Sequence, residues 1–257
     1  MRNLFDYFID LSDKRTELIK EYLISKGERV FPYEKGIKAN KNSVFIFPPA
    51  KKFLVNEVVA LPNDIILFAG NVTNEVKNLF NQKNITYYNF LEDEDFTYKN
   101  AILTAEGTLS IILSKSNKSI FDKEILILGF GRIGKALALF LSKLGVKFSV
   151  ATFNKKEFDD SIIYTEDRFF EKDFVKVIEK YEVIVNTIPK EIFSFEDIKK
   201  INKDTLFIEL ASIPCINESL EKNFIYEHAR SLPQKTTLIS ATNIIIYQLE
   251  KKLWKTR

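Results

Sequence analysis

Apolar runs of strand length alternate with stretches of helical periodicity along most of the chain. This is the rhythm of parallel α/β units, in which each buried strand is followed by a covering helix. Over residues 1–100 the pattern predicts strands at Leu4–Ile9, Ser43–Phe47, Asp64–Ala69 and Ile85–Phe90, with a shorter one near Arg29–Phe31. Helices are predicted over Lys14–Ser25, Lys51–Leu61 and Asn74–Gln82. Gly27 stands where a left-handed helix terminus belongs, and Pro48-Pro49 and Pro62 close neighbouring elements. Together they describe a small doubly wound domain of the flavodoxin type.

A second series occupies residues 101–238. Strands are predicted at Glu124–Leu128, Lys147–Ala151, Glu182–Asn186 and Thr205–Leu210, alternating with helices at Arg132–Leu144, Asp167–Lys180 and Phe195–Ile201. The leucines and isoleucines of Thr104–Ser114 fit a helix linking the two domains. After Pro233, the tail Ile239–Trp254 has the pattern of a long helix. Residues 239–257 are expected to pack back on the first domain, giving a hinged cleft. The fold class is therefore α/β, with two doubly wound parallel-sheet domains.

Composition narrows the function classes. Hydrophobic residues make up 46% and charged residues 28%, ordinary for a globular protein. The net charge of +3 comes from interspersed acids and bases, so no basic stripe argues for nucleic acid or a membrane surface. Cys215 is the single cysteine, which rules out an intramolecular disulfide and suits a reducing cytosol. The chain turns acidic at Asp6 before a signal-length apolar run develops, and no stretch reaches the ~18 uncharged apolar residues of a spanning helix. A cytoplasmic protein is expected. One Cys and one His offer no metal-ligand cluster, so no metal site is expected.

The most informative chemistry lies at Gly129-Phe130-Gly131-Arg132-Ile133-Gly134. A buried strand runs into it and a helix runs out, the context that gives a GxGxxG pattern its meaning as a dinucleotide site. Gly129 permits the tight turn, Gly131 lets the backbone approach a pyrophosphate, and Gly134 lets the helix pack on the strand. The amides of the helix N-terminus then face the phosphate. This is the signature of a Rossmann domain. After the next strand come Thr152-Phe153-Asn154-Lys155-Lys156, with no acid before Glu157. Lys155 and Lys156, following Asn154, suit the extra phosphate of NADP, with NAD as the alternative. Asn186-Thr187-Ile188-Pro189 and Glu209-Leu210-Ala211-Ser212-Ile213-Pro214 fall at the carboxyl edge of the same sheet. Thr187, Ile188, Pro189, Ala211 and Ser212 are thereby expected around the nicotinamide.

Hydride transfer needs a positioned cofactor, a clamp for the substrate and a proton acceptor. His228, the only histidine, is an acid–base candidate near a strand over Asn223–Glu227. Arg15, near the carboxyl end of the first strand, is a candidate carboxylate clamp. Thr104 is a candidate N-cap of the linker helix and a candidate substrate donor, and Glu106 stands in its first turn.

The segment Thr104-Ala105-Glu106-Gly107 followed by the GFGRIG turn resembles the dipicolinate synthase A-subunit family. Leu67-Phe68-Ala69-Gly70, Asp95-Phe96, Asn186-Thr187-Ile188-Pro189, Leu210-Ala211-Ser212-x-Pro214 and Leu232-Pro233-x-Lys235 resemble the same family in order and spacing. The resemblance implies a nicotinamide-dependent protein that oxidises a hydroxy-tetrahydrodipicolinate, a small cyclic dicarboxylate of the lysine pathway, to dipicolinate during sporulation in the mother cell. It implies the synthase's second, flavoprotein-like subunit (the B-subunit) as partner, with a homo-oligomer also compatible. It makes Glu106 the general base and places Thr104, Ala105 and Gly107 beside the substrate. The sequence departs from the family at Gln234, at Leu238-Ile239-Ser240-Ala241-Thr242 and at Cys215-Ile216. These changes bear on substrate contacts more than on the dinucleotide turn. Two other readings stay open. A D-2-hydroxyacid dehydrogenase shares the two-domain plan, although Ser212 stands where its arginine is expected. A non-catalytic NADP-binding regulatory subunit is the other.

Overall fold

The computed structural model describes residues 5–41, 43–115 and 118–253, with backbone alone for 218–220. Contacts divide the chain into two compact units, residues 1–100 with 237–257, and residues 101–236.

The first unit carries parallel strands β1 (Asp6–Ile9), β2 (Arg29–Pro32), β3 (Val44–Ile46), β4 (Ile66–Ala69) and β5 (Thr86–Asn89) in the order β2-β1-β3-β4-β5. Its helices are α1 (Lys14–Ser25), α2 (Val55–Val59) and α3 (Asn74–Gln82). Strand alternation sorts the side chains onto two faces. Tyr7, Ile9, Val44, Ile46 and Phe68 pack with Ile19 and Leu23 of α1, while Phe8, Phe45, Leu67 and Ala69 pack with Val58, Val76 and Phe80. The second face is aromatic: Phe8 stacks on Phe45 at 4.9 Å, and Phe47 meets Phe53 edge-on at 4.9 Å. Helix α4 (Glu94–Ser114) runs from this unit into the next.

The second unit holds β6 (Ile125–Leu128), β7 (Ser149–Thr152), β8 (Arg168–Phe170), β9 (Val183–Asn186), β10 (Leu206–Glu209) and β11 (Ile225–His228). All are parallel in the order β11-β10-β9-β6-β7-β8, with β6 paired to both β7 and β9. The winding direction reverses between β6 and β9, the place where open α/β sheets bind ligands. Helices α5 (Arg132–Leu144), α6 (Lys155–Asp160), α7 (Phe195–Ile198) and α8 (Leu232–Thr236) complete this unit. The last helix, α9 (Leu238–Leu253), returns to the first unit, where Ile245, Leu249 and Leu253 join the core beside Tyr7 and Ile9. Gln248 donates to Asp93 Oδ1 at 2.9 Å, and the Tyr22 hydroxyl donates to Glu250.

The two-sheet α/β architecture expected from the sequence is the one found. Several elements differ. Asp167–Lys180 is not a helix: Arg168–Phe170 forms β8 on β7, Glu171 turns the chain at φ 53, and Asp173–Lys180 is a 3-10 segment kinked at Val177. The Phe169-Phe170 pair suits an edge strand, and a left-handed residue ends any helical run. Helix α4 starts ten residues before Thr104, at Glu94, because Asp93 Oδ1 accepts from the Phe96 amide at 3.0 Å and sets the start. Helices α2 and α7 are shorter than the periodicity predicts, and α6 stands where the pattern shows no helix. Leu4 and Trp254, at the ends of two predicted elements, lie outside the described residues.

Candidate dinucleotide site

The strand β6 is buried at every residue, and the chain leaves it through Gly129 at φ 93, a left-handed conformation that favours glycine. A Cβ there would collide with Thr187 Oγ1 and Ile188. A Cβ on Gly134 would collide with the backbone carbonyl of Gly129, so this glycine lets α5 close down on the turn. Gly131 is different. It is the N-cap of α5, is extended, and gives no side-chain cap to the first-turn amides. A Cβ on it would meet only Glu157 Oε1, at 3.8 Å. The helix behind it has no acid in its first turn, Lys143 in its last, and a left-handed Gly145 terminus at φ 73. Its positive dipole end therefore faces an open crook with the chemistry of an anion site. Three glycine roles and an uncapped helix fit a dinucleotide diphosphate.

The rim of the crook is organised by side chains. Glu157, in the first turn of α6, accepts from the Phe130 amide at 3.2 Å and from the Thr152 hydroxyl at 2.8 Å through Oε2. Asn154 caps α6, accepting from the Glu157 amide at 3.1 Å. Across β6, the Thr187 amide and hydroxyl both donate to the Leu128 carbonyl, at 2.8 and 2.9 Å.

That turn is fixed by a buried network. Asn186 donates to the Ile188 carbonyl at 3.1 Å and to Glu209 Oε1 at 2.7 Å, and accepts from the Ile188 amide at 3.0 Å. Glu209 is fully buried, and its carboxylate also takes the amides of Ala211 and Cys215 at 2.9 and 3.0 Å and the Tyr226 hydroxyl at 3.3 Å. Four donors satisfy this carboxyl group, which has no cation beside it among the described residues. The acid ties the ends of β9 and β10 together behind the glycine turn. Burial pushes the Cys215 thiol far above its ordinary range, and Glu209 adds to the shift, so this cysteine stays a thiol. Burial and Glu209 likewise push the Tyr226 phenol up.

Residues 105–220 match the family model for the D-isomer specific 2-hydroxyacid dehydrogenase, NAD binding domain. The A-subunit of dipicolinate synthase from Bacillus subtilis is 23% identical over 153 residues, which cover 60% of this chain and 52% of that protein. The aligned stretch therefore spans about half the length of that relative. The crystal structure of the same subunit from Bacillus halodurans superposes with a TM-score of 0.81 at 18% identity, covering 97% of this chain and 98% of that one. The Bacillus subtilis crystal structure gives 0.81 at 17% identity, covering 99% and 97%. The chain is homologous to the A-subunit of dipicolinate synthase. Residues 105–220 are thus similar to the NAD-binding domain of a dehydrogenase family, and no helix among the described residues is long and apolar enough to cross a membrane.

Within this dipicolinate synthase-like frame, the expected site residues separate into groups. The structure brings Gly129, Phe130, Gly131, Arg132, Ile133 and Gly134 together with Thr187 and Ile188 around one crook, with Pro189 exposed at its edge. Ser212 is exposed past the end of β10, while Ala211 is buried with its amide committed to Glu209. Asn154 and Lys155 are occupied differently from expectation: Asn154 caps α6, and Lys155 pairs with Asp159 at 2.9 Å.

The Thr-Ala-Glu-Gly segment needs correction. Thr104 is no N-cap but a buried residue deep in α4, whose carbonyl accepts the Thr108 hydroxyl at 2.8 Å. Ala105 is fully buried in the hydrophobic core. Gly107 lets α8 approach, since a Cβ there would lie 2.7 Å from Thr236 Oγ1 and 3.1 Å from Leu232. Ala105 and Gly107 are packing residues, so close helix packing explains them without a substrate. Glu106 is exposed in mid-helix, where the N-terminal dipole no longer acts. His228 is half-exposed at the end of the edge strand β11, with Nε2 3.0 Å from Glu221. Arg15 does not present a free fork: it is buried and doubly bonded to Asp13, at 2.9 and 2.6 Å.

Glu157 and Glu209 organise the surroundings of the glycine turn, and the sequence patterns do not single them out. The first leaves a faint signal in Asn154-x-x-Glu157, a capping spacing. The second stands as one acid closing the apolar run Leu206-Phe207-Ile208.

Proposed function

We propose that the chain is the nicotinamide-dependent subunit of an oxidoreductase that converts a hydroxy-tetrahydrodipicolinate to dipicolinate. The observation that carries this reading is the uncapped N-terminus of α5 behind Gly131, with Gly129 and Gly134 packed tight on either side. Similarity to the A-subunit of dipicolinate synthase supports the reaction and a partner subunit; a flavoprotein-like partner and a place in sporulation metabolism of the mother cell are what the sequence resemblance implies.

A bound nicotinamide coenzyme supplies the hydride chemistry. The α5 amides hold its diphosphate. Thr187, Ile188 and Pro189 border its nicotinamide end, and the Glu209–Asn186 network keeps that turn rigid. His228, oriented by Glu221, is the first candidate proton acceptor, and the exposed Glu106 is the second. A bonded acid fixes the imidazole's orientation, the arrangement that general bases share.

The match to the 2-hydroxyacid dehydrogenase family favours one alternative, oxidation of a D-2-hydroxy acid. Purified chain incubated with hydroxy-tetrahydrodipicolinate and NAD or NADP, with and without the flavoprotein-like partner, separates the cases. Dipicolinate absorbance is expected when partner and coenzyme are both present. Turnover of D-2-hydroxy acids alone establishes the alternative. Coenzyme binding with no product in any combination makes the chain a non-catalytic dinucleotide-binding protein.

A further inference from the structure

We propose that Arg230, at the carboxyl end of β11, is the group that holds the carboxylate of the substrate. The inference deepens the oxidoreductase reading and rests on it, because it names the contact that a small carboxylate makes with this chain.

Three observations carry it. The first is an uncommitted guanidinium. Arg230 is exposed and makes no ion pair, hydrogen bond or ring contact among the described residues. Other arginines are spent on partners: Arg15 on Asp13, Arg29 on Asp6 at 2.8 Å, and Arg168 on the Phe158 carbonyl at 2.8 Å. The second is a held backbone. Ala229 is buried and its amide donates to the Glu209 carbonyl at 3.0 Å, while Leu232 is buried where Gly107 lets it approach. Between them Ser231 is left-handed at φ 57, a conformation uncommon outside glycine, so the turn that carries Arg230 is fixed from both sides. The third is its place. Strands β10 and β11 pair with Glu209 opposite His228, so Arg230 leaves the sheet level with Ala211, beside the exposed Ser212. That carboxyl edge is where open α/β sheets bind ligands. The turns 186–189 and 209–214, expected around the nicotinamide, contain no lysine, arginine or histidine of their own.

A carboxylate that leaves water for a binding site needs donors and an opposite charge. A guanidinium supplies a permanent charge and two parallel N–H donors that match the two carboxylate oxygens. No described acid has to be displaced from Arg230 first. The run of exposed His228, buried Ala229 and exposed Arg230 keeps the alternation of β11, which puts the histidine and the arginine on the same side. The end of this strand therefore offers the candidate proton acceptor and a carboxylate clamp side by side. That pair suits a carboxylate whose neighbouring carbon bears a hydroxyl or a ring N–H.

The test is titration calorimetry on the coenzyme-loaded chain, with dipicolinate over the oxidised coenzyme and D-lactate over the reduced one, pairs that do not react. The uncharged dimethyl ester of dipicolinate serves as a third probe. Arg230→Gln is expected to weaken whichever carboxylate binds by about tenfold or more, the scale of a lost hydrogen bond to a charged group. Arg230→Lys, which keeps the charge without the fork, should fall between the two. Affinity for the coenzyme and for the dimethyl ester should be the same in wild type and Arg230→Gln. Lys203→Gln, which removes an exposed cation from the amino edge of the same sheet, should leave carboxylate binding unchanged. Carboxylate affinity that folded Arg230→Gln leaves intact overturns the proposal by itself. So does an equal loss in Lys203→Gln, which would be a general charge effect, or an equal loss for the ester, which would be a disturbed site. If the coenzyme binds but the wild type takes up neither carboxylate, the oxidoreductase reading falls and this proposal falls with it, a result distinct from carboxylate binding that ignores Arg230.

Discussion

Both units run their first strand into a helix, and they finish that junction in opposite ways. In the first unit, α1 is closed by its own sequence. The Asp13 carboxylate accepts from the Arg15 amide at 2.8 Å and holds the Arg15 guanidinium through two bonds, and the Thr16 hydroxyl donates to the Asp10 carbonyl at 2.6 Å. Donors and charges are matched inside the fold. In the second unit, α5 begins at Gly131, which has no side chain to offer. The two helices share a topology, yet one N-terminus is sealed and the other is open to an anion. Parallel α/β winding places helix ends at the sheet's carboxyl edge, and the cap residue decides which end binds.

Substitutions can invert that contrast. The largest effect is expected from Asp13→Ala, which strands the buried Arg15 guanidinium and removes the α1 cap, costing about 3–5 kcal/mol in urea unfolding. Adding Arg15→Met should recover part of the loss. A cost below about 1 kcal/mol would mean that water already serves the arginine. Next is Gly134→Ala, whose Cβ meets a carbonyl oxygen of fixed backbone. It should cost about 1–3 kcal/mol and weaken dinucleotide binding measured by titration calorimetry.

Gly131→Ser tests the comparison most directly, because it gives α5 the kind of cap α1 has. Stability should stay within about 0.5 kcal/mol of wild type, while dinucleotide affinity falls by about tenfold or more. Affinity unchanged in the folded variant would mean that the open helix end is not the phosphate site. The smallest effect concerns how the first unit is closed by α9. Burial, then the hydrogen bond to Glu250, raises the Tyr22 phenol from 10.0 to about 12. A raised folded pKa contributes stability that is complete below the unfolded value and disappears as pH climbs through the folded one. The unfolding midpoint should therefore carry a decline between pH 10 and 12 that Tyr22→Phe lacks.

Local and non-local features differ in how far the sequence reveals them. Helices α1, α3 and α5 keep the bounds their periodicity predicts, since each has a local cap or terminus: Asp13, Thr73, and Gly145. The start of α4 is hidden because Asp93, not Thr104, supplies the cap, and an apolar stretch alone does not reveal where a helix begins. Strand β8 reads as helix because Arg168-Phe169-Phe170 is too short to show alternation, and only pairing with β7 makes it a strand. The glycine turn is readable because each glycine answers to a local backbone need. The carboxylates of Glu157 and Glu209 are not, because their hydrogen-bond partners come from other strands and turns: Phe130 and Thr152 for the first, Asn186 and Tyr226 for the second.

The sequence by itself determined what short-range physics controls: the alternation of buried strands and amphipathic helices, the caps, and a glycine turn that only an α/β junction requires. Tertiary structure alone decided which polar groups remain available. It committed Arg15 to Asp13, Lys155 to Asp159 and Ala105 to the core, and it set Glu157 against the open end of α5. The reason is that a side chain's chemistry depends on the partners folding brings to it, and those partners lie at sequence distances that no local pattern encodes.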